Sequence, residues 1–547
     1  MADRAALFVP LLWLGASWAT PQPDVWAHLR DYVLGDVLRN TLGLALLLAL
    51  GVSALGLPLA WLSARCDYPG RRWLDWALVL PLALPGYVAA FAWVGLLDYA
   101  GPLQSAWRAL SGSRAALHDG RGVIGAALIL TLVLYPYLYL LARAAFLRQG
   151  AAAFDAARSL GRTPWSAFVR VALPLARPAW VAGLSLALLE ALADFGAVSI
   201  LGVDTFTTAI YKTWFGLYSL PAAAQLSCVL LLAVAAVLLV EQALRSRGRV
   251  SERSLRPMPR LVLRGWRAVA ACAFALGVFA FGFVIPVARL LHWALRAPVA
   301  WQPLIEVAFN TLMLGVAVAI AVLAIAFVLA AMERRAPRDA WLRAPIFLAN
   351  LGYAIPGTVL AVALMLALLG TEAWLRARWQ ASPVLASGVL AMGLALTLRF
   401  LRVGYGSVES GWRALRPELI EAARSLGASR GQRLWQIELP LLRPSLLAAL
   451  LLVGVEVMKE MPATLMLRPP GWDTLAVKIY GYTSEGLWHE AAWPALDPDR
   501  HRPAAGALAG ARAALGSGAT PLPCAGAQVS CAGHAAIMRV FPARIAP

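Results

Sequence analysis

Five ionisable residues lie inside two otherwise apolar stretches of the chain, and their chemistry stands out first. Glu190 and Asp194 are four residues apart in one stretch, and Glu456, Lys459 and Glu460 repeat that spacing in the other. Residues four apart share a helix face, an ionisable group in a membrane segment is by default a functional candidate, and carboxylate oxygens suit a hard metal ion. We therefore interpret these five as candidate pathway residues. The alternative is that they lie hydrated near the outer ends of the stretches or pair with Lys459.

Other side chains that could bind a metal form a weaker pattern. Tyr135, Tyr137 and Tyr139 lie in the stretch LYPYLYL. A phenolate oxygen is a hard ligand, but such tyrosines also pack between helices or anchor a helix at the membrane interface. The six histidines include no pair at i,i+4 spacing, and the five cysteines form no CxxC pair. We therefore assign no metal site and expect no cofactor bound by this chain.

A polar stretch that occurs twice is the clearest candidate for a partner-binding site. DAARSLGRTPWSAFVRVALPLARP begins at Asp155, and EAARSLGASRGQRLWQIELPLLRP begins at Glu421, 266 residues later. Each copy is typical of a helix, a break at Gly161 or Gly427, and a second helix. A mere linker needs no repeated sequence, so we interpret each copy as a cytoplasmic helix pair that docks into a groove on a partner. The alternative is an amphipathic loop on the membrane surface.

The turn chemistry of the two copies differs in detail. In the first copy Thr163 can cap the second helix, with Pro164 at its first position. In the second copy Ser429 and Gln432 match a capping box. The prolines of two Leu-Pro pairs are predicted to end the second helices before the next membrane segments: Pro174 and Pro440.

The elements that must position these residues are membrane-spanning helices. Of the 547 residues, 61% are hydrophobic and 14% are charged, whereas about a quarter of a soluble domain is charged. A helix of about 20 apolar residues spans a bilayer, and unsatisfied backbone in lipid forces such a segment to be helical. Eleven segments are predicted to span: 5–19, 37–64, 73–99, 121–147, 178–203, 222–244, 262–292, 308–332, 342–370, 383–407 and 444–466.

The net charge of +19 comes mostly from arginines in short loops, and the segment 245–264 alone carries seven. Counting crossings places the basic loops and both copies of the repeated stretch on one side, the cytoplasm. Nucleic-acid binding is not expected, because no soluble basic domain is available to carry it. The first segment resembles both a signal peptide and a short membrane helix; we favour a retained helix because an A-x-A cleavage pattern is absent.

The duplication extends beyond the polar stretch. RNTLGLALLLA at Arg39 is echoed by FNTLMLGVAVA at Phe309, LPGYVAA by IPGTVLA, and GVDTFTTAIY by GWDTLAVKIY, in the same order. Both polar stretches face the same side, so the repeat has one orientation. An inverted-repeat transporter would place them on opposite sides.

The combination of an acidic residue with Ala-Ala, a glycine six residues after the acid and a later Leu-Pro pair resembles the coupling motif of ABC importer permeases. Residues 36–496 are similar to that family, and the stretches ADFGAVSILGVDTFTTAIYKTWFGLYSL and EVMKEMPATLMLRPPGWDTLAVKIY are most similar to its fused, ferric-iron type. The resemblance implies an all-α, multi-pass inner-membrane protein with two tandem, same-orientation repeats of about six helices each. It implies an ATPase-coupling role for ten positions: Asp155, Ala156, Ala157, Gly161, Pro174, Glu421, Ala422, Ala423, Gly427 and Pro440.

The regions implied by the repeat and the resemblance are an N-terminal helix region (1–35), a first permease domain (36–244), a basic linker with an extra membrane helix (245–305), an incomplete second permease domain (306–496) and a tail (497–547). The tail has no apolar run near 18 residues. We hypothesise a frameshift near Leu496 that removed the last helix of the second repeat. The alternative is a disordered extension.

The partners implied by the resemblance are two copies of a cytoplasmic ABC ATPase, a periplasmic substrate-binding protein and the lipid bilayer. No GxxxxGK[ST] loop occurs in the chain. We therefore expect a transport subunit rather than an enzyme, with ATP hydrolysed by a separate subunit. ATP-driven closure of that partner would switch the pathway between inward-open and outward-open states.

Ferric iron is the cargo that the resemblance implies, but the physics of the helices does not specify it. Thiamine, polyamine, sulfate and phosphonate permeases are close alternatives. An ion-coupled secondary transporter is the alternative from another class, and it predicts inverted symmetry and broken helices at the membrane centre. A membrane-embedded enzyme is a more distant alternative, because no nucleophile–base pair stands out.

Overall fold

The computed structural model describes residues 12–112, 119–149, 159–246, 260–296, 301–335, 352–379, 385–386 and 388–496. Helices dominate these ranges, which confirms the predicted all-α class. Two strands of two residues each, β1 (Cys66–Asp67) and β2 (Leu261–Val262), form a parallel pair. The pair joins the loop after the first long helix to the linker between the halves, so both lie at one end of the molecule.

Eleven α-helices of the first half lie wholly within the described residues, and the longest of them are apolar along most of their length. They are α1 (Pro23–His28), α2 (Leu34–Arg65), α3 (Arg71–Ala77), α4 (Gly86–Leu97), α5 (Pro102–Ser111), α6 (Gly122–Arg148), α7 (Pro164–Ala167), α8 (Leu173–Ala193), α9 (Gly196–Ile200), α10 (Phe206–Phe215) and α11 (Leu220–Ser246). Short 3₁₀ segments cover Ser17–Ala19 and Leu80–Ala83, and π-helical turns cover Leu29–Val33 and Phe168–Ala172.

The linker and the second half are also built from α-helices. They are α12 (Trp266–Phe279), α13 (Ile285–Ala294), α14 (Trp301–Arg335), α15 (Gly357–Trp379), α16 (Val389–Ala414), α17 (Pro417–Ser425), α18 (Arg430–Arg433), α19 (Leu439–Lys459), α20 (Pro462–Leu467), α21 (Leu475–Ser484) and α22 (Trp488–Leu496). Gly352–Ala354 is a 3₁₀ segment, and Ala280–Val284 and Leu434–Glu438 are π-helical. The predicted tail, 497–547, lies outside the described residues, as does the frameshift hypothesis that concerns it.

Nine helical spans within the described residues are long and apolar enough to cross a membrane, and a tenth is a bent pair, Arg71–Ala83 with Gly86–Ser111 at 93°. These ten correspond in order to the predicted segments from 37–64 to 444–466. The bend falls at Leu84, which is extended (φ −90°, ψ 118°). Pro85 follows it, and the residue before a proline avoids the helical region. The predicted span at 73–99 is therefore a broken one. Of the first predicted segment, 5–19, residues 12–19 are described; they are helical and end in the 3₁₀ segment Ser17–Ala19.

The prediction that the Leu-Pro pairs end helices is wrong. The chain runs from α7 through the π-helical turn Phe168–Ala172 into α8, and from α18 through Leu434–Glu438 into α19. Proline has no N–H, and its ring clashes with the carbonyl four residues earlier. A π-helical turn bonds residue i to i+5 and is wider, so a turn placed just before Pro174 or Pro440 accommodates the ring. Each repeated stretch is thus continuous with a membrane helix.

The described residues form two hydrophobic cores, and each core contains residues from both sequence halves. The first core contains most of α2, α4 and α6 and also Met461, Val477 and Ile479 from the second half. The second core contains most of α14, α15 and α16 and also Phe206 and Leu226 from the first half. The end of each half is therefore buried in the core of the other half.

Equivalent hydrogen bonds confirm the internal repeat in three dimensions. Asn40 Nδ2 donates to the carbonyl oxygen of Asp204 at 3.1 Å, and Asn310 Nδ2 donates to that of Asp473 at 3.4 Å. Both asparagines come from the repeated Asn-Thr-Leu sequence, and both aspartates come from the repeated Asp-Thr sequence. The sequence repeat therefore corresponds to a repeated tertiary contact.

Candidate coupling surface and the contact between the two halves

The second copy of the repeated stretch forms the predicted helix pair. Its first helix is α17, in which Glu421 and Ala422 are exposed and Ala423 is buried. Gly427 has φ +78°, and the N–H of Ala428 donates to the carbonyl of Ala423 at 3.0 Å. This is the left-handed end that glycine favours. The turn presents the acidic face of α17 outward, as a docking element requires.

The predicted capping box in this copy is confirmed. The N–H of Gln432 donates to Ser429 Oγ at 3.2 Å, and the N–H of Ser429 donates to Gln432 Oε1 at 2.8 Å. Each side chain satisfies a backbone donor that the start of a helix leaves unpaired. The angle between the two helices is therefore fixed by local bonds.

The first copy shows the same break where the structure describes it. Gly161 also has φ +78°, and Thr163 Oγ1 accepts from the N–H of Ser166 at 3.2 Å, which confirms the predicted cap. Three predicted coupling residues lie outside the described residues: Asp155, Ala156 and Ala157. The described part of this copy matches the second in its turn geometry.

Two of the predicted pathway carboxylates act as helix caps. Asp194 Oδ2 accepts from the N–H of Val198 at 3.0 Å, in the first turn of α9. Glu460 accepts from the N–H groups of Ala463 and Thr464, each at 3.1 Å, at the start of α20. A carboxylate is favourable at a helix N-terminus. These side chains stabilise the point where each long membrane helix breaks.

Gly357 allows the Glu460 cap to form, and this predicts a measurable effect of substitution. A Cβ at Gly357 would lie 2.4 Å from Glu460 Oε1, so Gly357→Ala must displace the carboxylate from Ala463. Leaving a buried donor unpaired costs about 1–3 kcal/mol. We expect the midpoint of thermal unfolding of the purified full chain in detergent to fall by several degrees.

The matched control for that prediction is Gly393→Ala. A Cβ there has nothing within 4 Å, and alanine is the better helix former. Gly86, the counterpart of Gly357, lies farther from its carboxylate: a Cβ would be 3.3 Å from Asp194 Oδ1. Gly86→Ala should therefore have a smaller effect. Equal midpoints for the Gly357 and Gly393 variants would contradict the capping role.

The other pathway residues lie where the two halves meet. Tyr353 Oη donates to Glu190 Oε1 at 2.9 Å, and Lys459 Nζ donates to the carbonyl oxygen of Leu82 at 3.5 Å. Leu82 and Tyr353 occupy equivalent positions in the repeat. Leu82 lies two residues before the sequence Leu-Pro-Gly, and Tyr353 lies two residues before its counterpart, Ile-Pro-Gly. The end of α8 therefore contacts the segment before Ile-Pro-Gly in the second half, and the end of α19 contacts the segment before Leu-Pro-Gly in the first half.

A small polar cluster surrounds this meeting point. Tyr137 lies beside Tyr353, and the carboxyl groups of Glu190 and Glu456 are close enough to interact electrostatically with both tyrosines. Two carboxyl groups and two phenols, all hard oxygen donors, thus share one region between the halves. Within the described ranges, no group of three or more His, Cys, Asp or Glu residues could hold a metal ion.

Two residues in this region were missed by reasoning from the sequence. Tyr353 could have been found only through its position before the repeated signature. Arg399 carried a direct signal, an arginine inside the predicted segment 383–407. Its Nη1 donates to the carbonyl oxygen of Ile355 at 2.8 Å, and its Nε lies 3.9 Å from Glu460 Oε1.

Comparison with known protein families finds one family that matches both halves of the chain. The family described as "Binding-protein-dependent transport system inner membrane component" matches residues 56–247 and 323–483, one segment in each half. Each segment contains one copy of the repeated polar stretch, which confirms the tandem arrangement.

Individual relatives cover one half or both. The Fe(3+)-transport system permease protein FbpB 2 of Haemophilus influenzae is 26% identical over 85% of this chain and 87% of its own length. The sulfate transport system permease protein CysT of Escherichia coli is 28% identical over 42% of this chain and 82% of its own length. The molybdenum transport system permease protein ModB of Escherichia coli is 34% identical over 28% of this chain and 69% of its own length. The chain is therefore a multi-pass membrane permease that belongs to the family of binding-protein-dependent transport system inner membrane components, the permeases of ABC importers.

Proposed function

We propose that this chain is the inner-membrane permease that carries ferric iron, delivered by a periplasmic binding protein, in an importer driven by a separate ATPase. The observation that carries the proposal is the similarity to the Fe(3+)-transport system permease of Haemophilus influenzae, which extends over both halves of the two chains. The sulfate and molybdenum relatives match less than half of this chain.

The proposed regions are those of the repeat: permease domains at 36–244 and 306–496 around a linker at 245–305, with an N-terminal helix region before them. The docking elements for two ATPase copies are the two repeated stretches. Exposed Glu421 and the left-handed turn at Gly427 support this role in the second copy, because they give a fixed helix with an accessible charged face. Gly161 has the same geometry in the first copy.

The proposed pathway runs between the ends of α8 and α19. Glu190 and Glu456 are the groups there that would face a cation, together with Tyr137 and Tyr353. Oxygen donors suit a hard ion such as ferric iron. Asp194, Lys459 and Glu460 would keep the broken helix ends in place beside it. A permeation path binds its cargo weakly enough to release it, so a complete metal cage is not required.

An oxyanion, sulfate or molybdate, is the second candidate cargo, because relatives named for sulfate transport and for molybdenum transport match less than half of this chain. Two carboxylates in the proposed pathway disfavour a dianion, since like charges repel in a low-dielectric region. The choice between cation and oxyanion is therefore open to a direct test.

The test is uptake in cells that produce the full chain with its ATPase and binding protein. We expect radiolabelled ferric iron to accumulate well above the level in cells without the chain, and labelled sulfate and molybdate to stay at that level. Accumulation of an oxyanion instead of iron would overturn the cargo assignment. Uptake that persists when the ATPase gene is deleted would overturn the ATP-driven class and favour an ion-coupled transporter.

A further inference from the structure

A buried arginine closes the end of the helix that leads into the first repeated stretch. Arg65, at the end of α2, is 2% exposed. Its Nη2 donates to the carbonyl oxygen of Gln149 at 2.6 Å and also to that of Phe146. The last carbonyls of a helix lack partners within it and carry partial negative charge. Arg65 thus caps α6 and ties its end to α2.

Gln149 extends this link into the repeated stretch. Its Nε2 donates to the carbonyl oxygen of Ala172 at 2.9 Å, between residues 23 apart in sequence. Both residues are buried. Gln149 precedes the first repeated stretch, and Ala172 lies within it, at the end of the π-helical turn that leads into α8. The bond therefore ties the end of α6 to the part of the stretch that leads into α8. Phe168 adds an apolar contact there, with its ring 4.7 Å from that of Trp61 in α2.

The second half has only part of this arrangement. Arg334 Nη1 donates to the carbonyl oxygen of Trp412 at 3.3 Å. Trp412 is the counterpart of Phe146 in the repeat. The counterpart of Gln149 is Leu415, whose side chain has no hydrogen-bond donor. The arginine cap is therefore present in both halves. The hydrogen bond from a side-chain amide into the repeated stretch is formed by Gln149 in the first half, and Leu415 cannot form it in the second.

We propose that Arg65 and Gln149 are positioning residues that make the described part of the first repeated stretch, 159–178, move as one body with α2, α6 and α8. This inference rests on the proposed ATPase coupling. A force applied to the stretch reaches the membrane helices only if the contact between the stretch and the ends of α2 and α6 does not deform. The buried hydrogen bonds of the Arg65 and Gln149 side chains and the contact between Phe168 and Trp61 make this junction rigid. Packed elements of this kind transmit a displacement as a discrete shift. The first repeated stretch is accordingly attached more rigidly to its membrane helices than the second.

The test uses Gln149→Leu in the full chain, assembled with its ATPase and binding protein in proteoliposomes. We expect the ATPase to copurify as with the unaltered chain, and the ATP hydrolysed per labelled ferric ion transported to rise about fivefold, the lower range of typical coupling effects. Leu415→Gln, which places an amide at the equivalent position of the second half, should leave that ratio unchanged or lower it.

The matched control is Gln104→Leu. Gln104 is also buried and its Nε2 donates to the carbonyl oxygen of Leu97 at 3.1 Å, but α5 lies far along the chain from the repeated stretch. Both leucine variants should lower the unfolding midpoint, while only Gln149→Leu raises ATP consumed per ion. An unchanged ratio with the ATPase still bound would overturn this inference alone. Failure of the ATPase to bind the unaltered chain would overturn the proposed function instead.

Discussion

Gly427→Pro should abolish copurification of the ATPase with this permease while its insertion into the membrane stays normal, and Gly161→Pro should do the same through the other copy. Both glycines have φ +78°. Proline is fixed near φ −65°, so it cannot make the turn, and even an ordinary residue there costs about 1–2 kcal/mol. The second helix would leave the turn at a different angle, and α17 could no longer fit its groove. Pull-down of the ATPase with tagged full-length permease measures the effect.

Two further variants separate the turn from general damage. Gly431→Ala changes a nearby glycine that lies in helix α18, where a Cβ has nothing within 4 Å, and it should bind the ATPase normally. Glu421→Lys leaves the turn intact and reverses an exposed charge, so it should weaken binding and make the remainder depend on salt. Normal copurification with Gly427→Pro and Gly161→Pro together would refute the docking role.

Glu190→Gln should reduce ferric-iron uptake by about tenfold or more, equivalent to about 1.4 kcal/mol of barrier, while the protein assembles normally. Glutamine keeps an oxygen that can accept from Tyr353 Oη, so the contact between the halves survives. Only the negative charge is lost, and that charge is what a trivalent cation would respond to in a low-dielectric region. Glu456→Gln, the counterpart in the other half, should have a similar effect. Initial rates of labelled iron uptake measure both.

Tyr353→Phe is the complementary variant, because it removes the hydrogen bond to Glu190 and keeps the charge. We expect it to raise the ATPase rate in the absence of binding protein, since the two halves would separate more easily, with a smaller loss of uptake than Glu190→Gln causes. Glu306→Gln, an exposed carboxylate at the start of α14, controls for net charge and should transport normally. If Glu190→Gln and Glu306→Gln transport equally well, the pathway assignment fails.

Local sequence signals predicted local geometry well in this chain. The left-handed turns at Gly161 and Gly427, the Thr163 cap and the Ser429–Gln432 box all form as their residue types require, because each depends on atoms only a few residues apart. Apolar length likewise predicted the order of ten spans. The same reasoning failed at Pro174 and Pro440, where a π-helical turn carries the helix past the proline. A helix break at proline is a local preference, and the wider π-helical turn before each proline removes the clash on which that preference rests.

The sequence alone determined the class of the molecule: its membrane spans, its repeat and the two coupling stretches follow from apolar length, charge and internal similarity. Tertiary structure decided which half each element packs against. The ends of the halves are buried in each other's cores, and Glu190 meets Tyr353 across 163 residues of chain. No periodicity encodes such a contact, because it depends on how helices cross in space. The same holds for Arg65 and Gln149, whose roles come from the carbonyl groups they reach and not from any motif around them.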